Sequence, residues 1–489
     1  MADPGAATTP GSVENLIGII GSVHAETADR RPATPSRRRG TVRMNPSTPN
    51  DLIKQSPMGW YQYAIVAICV LTYAADGLDV VTLSYAAPSI IKEWGISTQM
   101  FGWASTATPI GIAIGSIFIS PFADRIGRRV LTLWLLGLLI GLLFATAMVG
   151  SIGALMGLRL VTGMCLGALV VCLNVTVSEF SNAARSNVFI GILHTGYSAG
   201  GMLCGALAAV LIEPFGWRAI FMAAATLNLL SFVLALFLLA ESPAFLGRQR
   251  KPGALERLNR LMARLGKPAL DALPDAPVTD SKKPGASIIP RAMWVGTGLL
   301  CLAGFAFTIA GGFMAGWRPQ ILAIGGLNMT WNGIAGMTTY GAGIVAHLIV
   351  GGLARRVGEV RIAVIFLLAM GGAFTLLGAV PDGMTWALIA ASTLCGFFNV
   401  GSYTALVLVT LNYHDVTTRN AGLGIMMGFS RVGGIIGPLL GGYVIGAGAG
   451  RFWVMLLFGG LMIIPAIAAV LARMRAGPNS SLGQAATAH

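Results

Sequence analysis

The chain carries twelve apolar stretches, each about 20 residues long, separated by short polar turns. A helix of that length crosses a hydrocarbon core of roughly 30 Å. In lipid every backbone N–H and C=O must be satisfied within the protein, so an open sheet or an irregular segment is excluded. The stretches fall at 61–87, 101–123, 130–150, 152–177, 187–212, 217–239, 291–315, 329–353, 361–380, 384–410, 419–446 and 451–473. Only 11% of the residues are charged, against about 25% in a soluble domain. The expected fold is therefore an all-α membrane protein of twelve transmembrane helices. The 65 glycines fit it, because small residues let membrane helices approach closely. Cys69, Cys165, Cys172, Cys204, Cys301 and Cys395 all lie inside apolar runs without metal-like spacing. They read as packing residues, and no disulfide, metal or cofactor is expected.

The segments are grouped six and six. Residues 1–55 read as a disordered cytoplasmic tail, 56–240 as a first six-helix bundle, 241–290 as a cytoplasmic linker, 291–475 as a second bundle and 476–489 as a short tail. Within the linker, Gly253 to Leu265 has the pattern of an amphipathic helix lying on the membrane surface. Orientation follows from Lys and Arg, which concentrate on cytoplasmic loops. Arg30, Arg31, Arg37, Arg38, Arg39, Arg43 and Lys54 precede the first span, and Arg125, Arg128, Arg129, Arg185, Arg355, Arg356, Arg361, Arg419, Arg473 and Arg475 fall on the same side. The other side has Lys92, Arg218 and Arg451, with Arg318 near a span end. Both termini are thus expected in the cytoplasm. The net charge of +14 becomes a topology signal and not a sign of nucleic-acid binding.

Ser120-Pro121-Phe122-Ala123-Asp124-Arg125-Ile126-Gly127-Arg128-Arg129, between spans 2 and 3, resembles the loop signature of the major facilitator superfamily, with Ser120 where the family usually has Gly. A degenerate copy, Gly351-Gly352-Leu353-Ala354-Arg355-Arg356-Val357-Gly358, follows span 8, as a duplicated six-helix unit requires. Asp76-Gly77-Leu78-Asp79 with Ala87-Pro88, Arg159 to Gly167 ending in Ser178-Glu179-Phe180, and Arg419 to Pro438 are similar to the span 1, span 4 and span 11 motifs of aromatic acid:proton symporters. The resemblance implies two six-helix halves in the major facilitator fold, import of a benzoate- or hydroxybenzoate-type carboxylate with protons by alternating access, and multi-pass residence in a bacterial inner membrane. The implied partners are a small aromatic acid, protons and lipid, with the protein a monomer. A carrier of another organic anion or of a sugar is the alternative. An enzyme is not expected, since HExxH and a Cys/His set are missing.

The charges inside the spans carry the chemistry. Asp76 and Asp79 are three residues apart and share a helical face. Burial and mutual repulsion favour a proton on such a pair, which suits proton coupling; a structural cap at a helix break beside Gly77 is the plainer reading. Arg159 either pairs with an acid of span 1 or a substrate carboxylate, or simply ties two helices together. Arg431, central in span 11, has no acid near it in sequence and would suit a bidentate carboxylate. Arg318 is expected to snorkel to the interface. His194, His347, Asn174, Asn399 and Tyr403 have the polarity to line a substrate cavity, and Trp317, Phe397, Phe398 and Tyr403 the rings to stack on an aromatic substrate. For gating, Asp124 is expected to accept from a neighbouring helix N-terminus, with Arg125, Gly127, Arg128, Arg129 and Glu179 completing a cytoplasmic latch.

Overall fold

The computed structural model describes residues 49–183, 185–249, 252–273, 289–414 and 418–475. Among them, twelve helices are long and apolar enough to cross a membrane. They are α1 (Trp60–Trp94), α2 (Thr98–Ile126), α3 (Arg128–Met148), α4 (Ile152–Phe180), α5 (Val188–Phe215), α6 (Arg218–Leu238), α7 (Arg291–Ile324), α8 (Met329–Ala354), α9 (Glu359–Ala379), α10 (Thr385–Tyr413), α11 (Ala421–Gly446) and α12 (Arg451–Met474). Most of residues 1–55 and all of 476–489 lie outside the described residues. At the end of the first of these, Pro49–Gln55 forms a short helix with Ile53 fully buried.

Helix pairing repeats from one half to the other. In the first half α1 packs on α5, α2 on α4 and α3 on α6; in the second, α7 packs on α11, α8 on α10 and α9 on α12. The halves meet through α1 with α7, α2 with α11 and α5 with α8. Small residues set these approaches. A Cβ on Gly200 would strike the Ala74 backbone, and one on Gly163 or Gly167 would strike that of α2.

The same duplication is visible in the backbone of the two loop motifs. Gly127 precedes α3 with φ 103° and ψ 145°, and Gly358 precedes α9 with φ 95° and ψ 141°. Only glycine adopts that region at low cost, and an L-residue there costs about 1–3 kcal/mol. Space separates the two sites. A Cβ on Gly127 would run into the Glu241 carboxylate, whereas Gly358 has open space around it. Gly127→Ala and Gly358→Ala are therefore both expected to lower the melting temperature in detergent, Gly127→Ala by more. Equal shifts would remove the role given to Glu241.

Helix α1 is unbroken at Asp76-Gly77. Gly77 serves packing instead, since a Cβ there would meet the Tyr197 backbone of α5. The amphipathic helix, Ala254–Arg264, turns its apolar face to protein. Leu258, Leu261 and Met262 are buried in the same apolar cluster as Ile53, Tyr61 and Leu246. Protein, and not lipid, covers its apolar face.

Candidate functional site

The α1 face carrying Asp76 and Asp79 is buried, at 3% and 0% exposure, and the two carboxyls have different surroundings. Asp79 Oδ1 accepts from Arg159 Nη1 of α4 at 3.0 Å. Arg159 is itself fully buried; its Nη2 lies 3.4 Å from both Thr146 Oγ1 and Thr162 Oγ1, and its guanidinium sits 5.2 Å above the Phe221 ring. The ion pair thus joins α1, α3, α4 and α6 inside one half. Asp76 has no such cation. Its Oδ1 is buried with no hydrogen-bond partner among the described residues. Its surroundings are aromatic: Tyr73 and Tyr197 are within electrostatic range of it, and their rings are 5.8 Å apart.

The other cavity candidates come from both halves. Tyr73 meets the His194 ring edge-on at 5.5 Å and is in electrostatic range of Tyr403 of α10 and Arg431 of α11. Arg431 is exposed and makes no ion pair among the described residues. Tyr403 stacks on Phe307 of α7, with centroids 6.0 Å apart. His347 Nδ1 is 2.8 Å from Thr404 Oγ1, and Asn399 faces Gly311 of α7. Asn174 instead donates to the Val170 carbonyl of its own helix. Trp317 is fully buried and donates to the Pro438 carbonyl at 2.7 Å, and Phe397 and Phe398 pack on Phe366. Trp317 is thus enclosed in helix packing, whereas Phe397 and Phe398 stay half-buried.

The loop residues assemble at the end of the first half that bears the tails. Arg128 Nη1 binds Glu179 and, at 2.7 Å, Ser242 Oγ, while Ser242 Oγ donates to Glu179 Oε2 at 2.6 Å. Asp124 does not cap a neighbouring helix; it takes Arg128 Nη2 at 3.3 Å, one turn along its own chain. Arg129 joins this cluster through its backbone, its N–H and that of Ser242 both donating to Glu241 Oε1, while its Nη2 donates to the Leu236 carbonyl, and Arg125 sits over Phe122. Glu241 and Ser242 join this loop assembly although the expected latch did not include them: Glu241-Ser242-Pro243 resembles a motif shared by many carriers, which gives it no particular role.

Hydrogen bonds between the halves gather at the opposite end. Thr98 Oγ1 reaches the Gly442 carbonyl at 3.2 Å, Thr330 Oγ1 the Ala209 carbonyl at 3.3 Å, and Arg318 Nη2 the Tyr85 hydroxyl at 2.8 Å. Arg318 is 5% exposed, so it does not snorkel. The segment Gly196-Tyr197-Ser198-Ala199-Gly200 has the spacing of a hydrolase nucleophile elbow. That motif needs a strand-to-helix turn, whereas this one lies within α5 with Ser198 buried and both glycines against α1.

Two pseudo-equivalent six-helix halves that close on each other at one end, around buried charge, define a membrane carrier of the two-half type. The model of the Major Facilitator Superfamily matches residues 69–414 and 297–488. The chain is 31% identical to a gallate transporter of Pseudomonas putida over 88% of this chain and 96% of the relative. It is 26% identical to a 4-hydroxybenzoate transporter of Acinetobacter baylyi over 86% and 92%. A solved bacterial homologue of the human lysosomal transporter Spinster, inward-facing and unoccupied, superposes with a TM-score of 0.65 at 14% identity, covering 87% of this chain and 99% of that one. The chain belongs to the major facilitator superfamily, in its aromatic acid transporter family.

Proposed function

We propose that the protein imports an aromatic carboxylate of the benzoate or hydroxybenzoate type by proton symport and alternating access, across a bacterial inner membrane with both termini in the cytoplasm. The observation that carries this reading is the unequal treatment of two carboxyls on one helical face. Asp79 is neutralised by Arg159; Asp76 is buried beside it without a cation and is the group left to exchange a proton. Arg431, a cation without an acidic partner among the described residues, is the group left for the substrate carboxylate, with Tyr403, His194, His347 and Asn399 around the ring. The Arg128–Glu179–Asp124 cluster braces the cytoplasmic end of the first half as the halves rock. The names of the similar gallate and 4-hydroxybenzoate transporters favour aromatic acids over sugars.

Energised vesicles test this. Labelled benzoate-type acids should accumulate under an inward proton gradient, and a protonophore should collapse the accumulation. Uptake of a sugar and of no aromatic acid would overturn the reading.

A further inference from the structure

Arg318 is a buried cation with no carboxylate in ion-pair range among the described residues. Burying an unpaired guanidinium is expensive, and two aromatic faces offset part of that cost: its Cζ lies 5.0 Å from the Tyr340 ring centroid and 5.7 Å from that of Tyr85. Nη2 donates to the Tyr85 hydroxyl at 2.8 Å. Nε is buried with no hydrogen-bond partner. Nε and Nη2 form one edge of the guanidinium, the fork that grips a carboxylate through two parallel hydrogen bonds. One tine of that fork holds a phenol oxygen and the other holds no acceptor.

The partners of Arg318 belong to different halves. Tyr85 is on α1; Arg318 and Tyr340 are on α7 and α8. The contact is close because α8 has a glycine beside it: a Cβ on Gly336 would collide with the Tyr85 hydroxyl and come 3.1 Å from Arg318 Nη2. When the halves part at this end, Tyr85 leaves with α1 while Tyr340 stays with Arg318. The arginine then has its whole fork uncovered, above an aromatic ring. Tyr340 also lies within electrostatic range of Tyr197, as Asp76 does.

We infer that Arg318 is an outer carboxylate subsite: in the outward-open state its Nε–Nη2 edge binds the carboxylate of the entering aromatic acid, with the acid's ring against Tyr340. As the halves close, the Tyr85 hydroxyl takes the place of a carboxylate oxygen and the acid moves on to the central cavity. The inference rests on the aromatic-acid reading above.

The test uses the full chain in right-side-out and everted vesicles, with benzoate as substrate and benzamide, the ring-matched neutral amide, as competitor. Arg318→Gln should raise KM for benzoate entering from the outer side by on the order of ten- to a hundredfold, the loss of hydrogen bonds to a charged group. KM from the inner side and inhibition by benzamide should stay within about threefold, a shift too small to reflect such a loss. Arg318→Lys keeps the charge without the fork and should fall between wild type and Arg318→Gln. Where Arg318→Gln does not assemble, the lysine variant carries the test with the same acid-against-amide comparison. Tyr85→Phe frees Nη2 and should leave KM for outer benzoate unchanged or lower. Equal losses from both sides, or for acid and amide alike, would make Arg318 only a latch and overturn the inference, as would wild-type behaviour of both arginine variants. If the wild-type protein takes up no aromatic acid at all, the functional reading fails and takes this inference with it.

Discussion

Arg159→Met is expected to cost the protein about 3–5 kcal/mol, the range for breaking a buried ion pair from one side, and to abolish transport. Arg159 and Asp79 are both fully buried and 3.0 Å apart. Losing the arginine leaves an ionised carboxylate in a membrane helix with no cation, and Asp79→Asn leaves the mirror-image problem. The double variant Asp79→Asn/Arg159→Met is expected to be more stable than either single one, because well-packed neutral groups often replace a buried pair at little net cost. The cycle is read by melting in detergent and by the yield of assembled protein. Additive losses in the double variant would show that the two residues act independently, against the geometry.

Asp76→Asn should behave in the opposite way: little change in stability and loss of uphill transport. Asp76 Oδ1 has no hydrogen-bond partner to lose, and asparagine preserves the shape. A one-proton symporter driven by an inward gradient of about one pH unit sustains about tenfold accumulation, since one unit is worth about 1.4 kcal/mol. The variant should bring accumulation to about unity while still exchanging labelled for unlabelled acid across the membrane, because the binding groups on α10 and α11 are untouched. Tenfold accumulation in Asp76→Asn would remove this residue from the coupling role.

Much of the architecture is legible in local sequence. A lipid-solvated helix must satisfy its own backbone, so each span announces itself as an apolar run, and the boundaries expected for most spans fall within a few residues of the helices. The duplication is equally local: Gly127 and Gly358 stand in matching motifs and share one backbone conformation. The placement of Asp76 and Asp79 on one face follows from helical geometry alone. The errors occurred where a residue's environment depends on another helix. Gly77 beside an aspartate looked like a break and is a packing contact with α5. Trp317 looked available for stacking and is held by the Pro438 carbonyl. The amphipathic linker helix has the pattern of a membrane-surface helix, and no local signal distinguishes a lipid cover from a protein one.

The site was therefore half readable. Sequence by itself determined which ionisable groups enter the membrane, on which spans and on which helical face, because hydropathy and the helical repeat act within one segment. Only the tertiary structure decided that Asp79, and not Asp76, receives Arg159 from 80 residues away, and that Arg318 turns inward to Tyr85 across the two halves. Those pairings depend on which helix faces meet and how closely. Glycine contacts between α1 and α5, α2 and α4, and α7 and α11 set that approach, and it brings together side chains that no spacing along the chain relates.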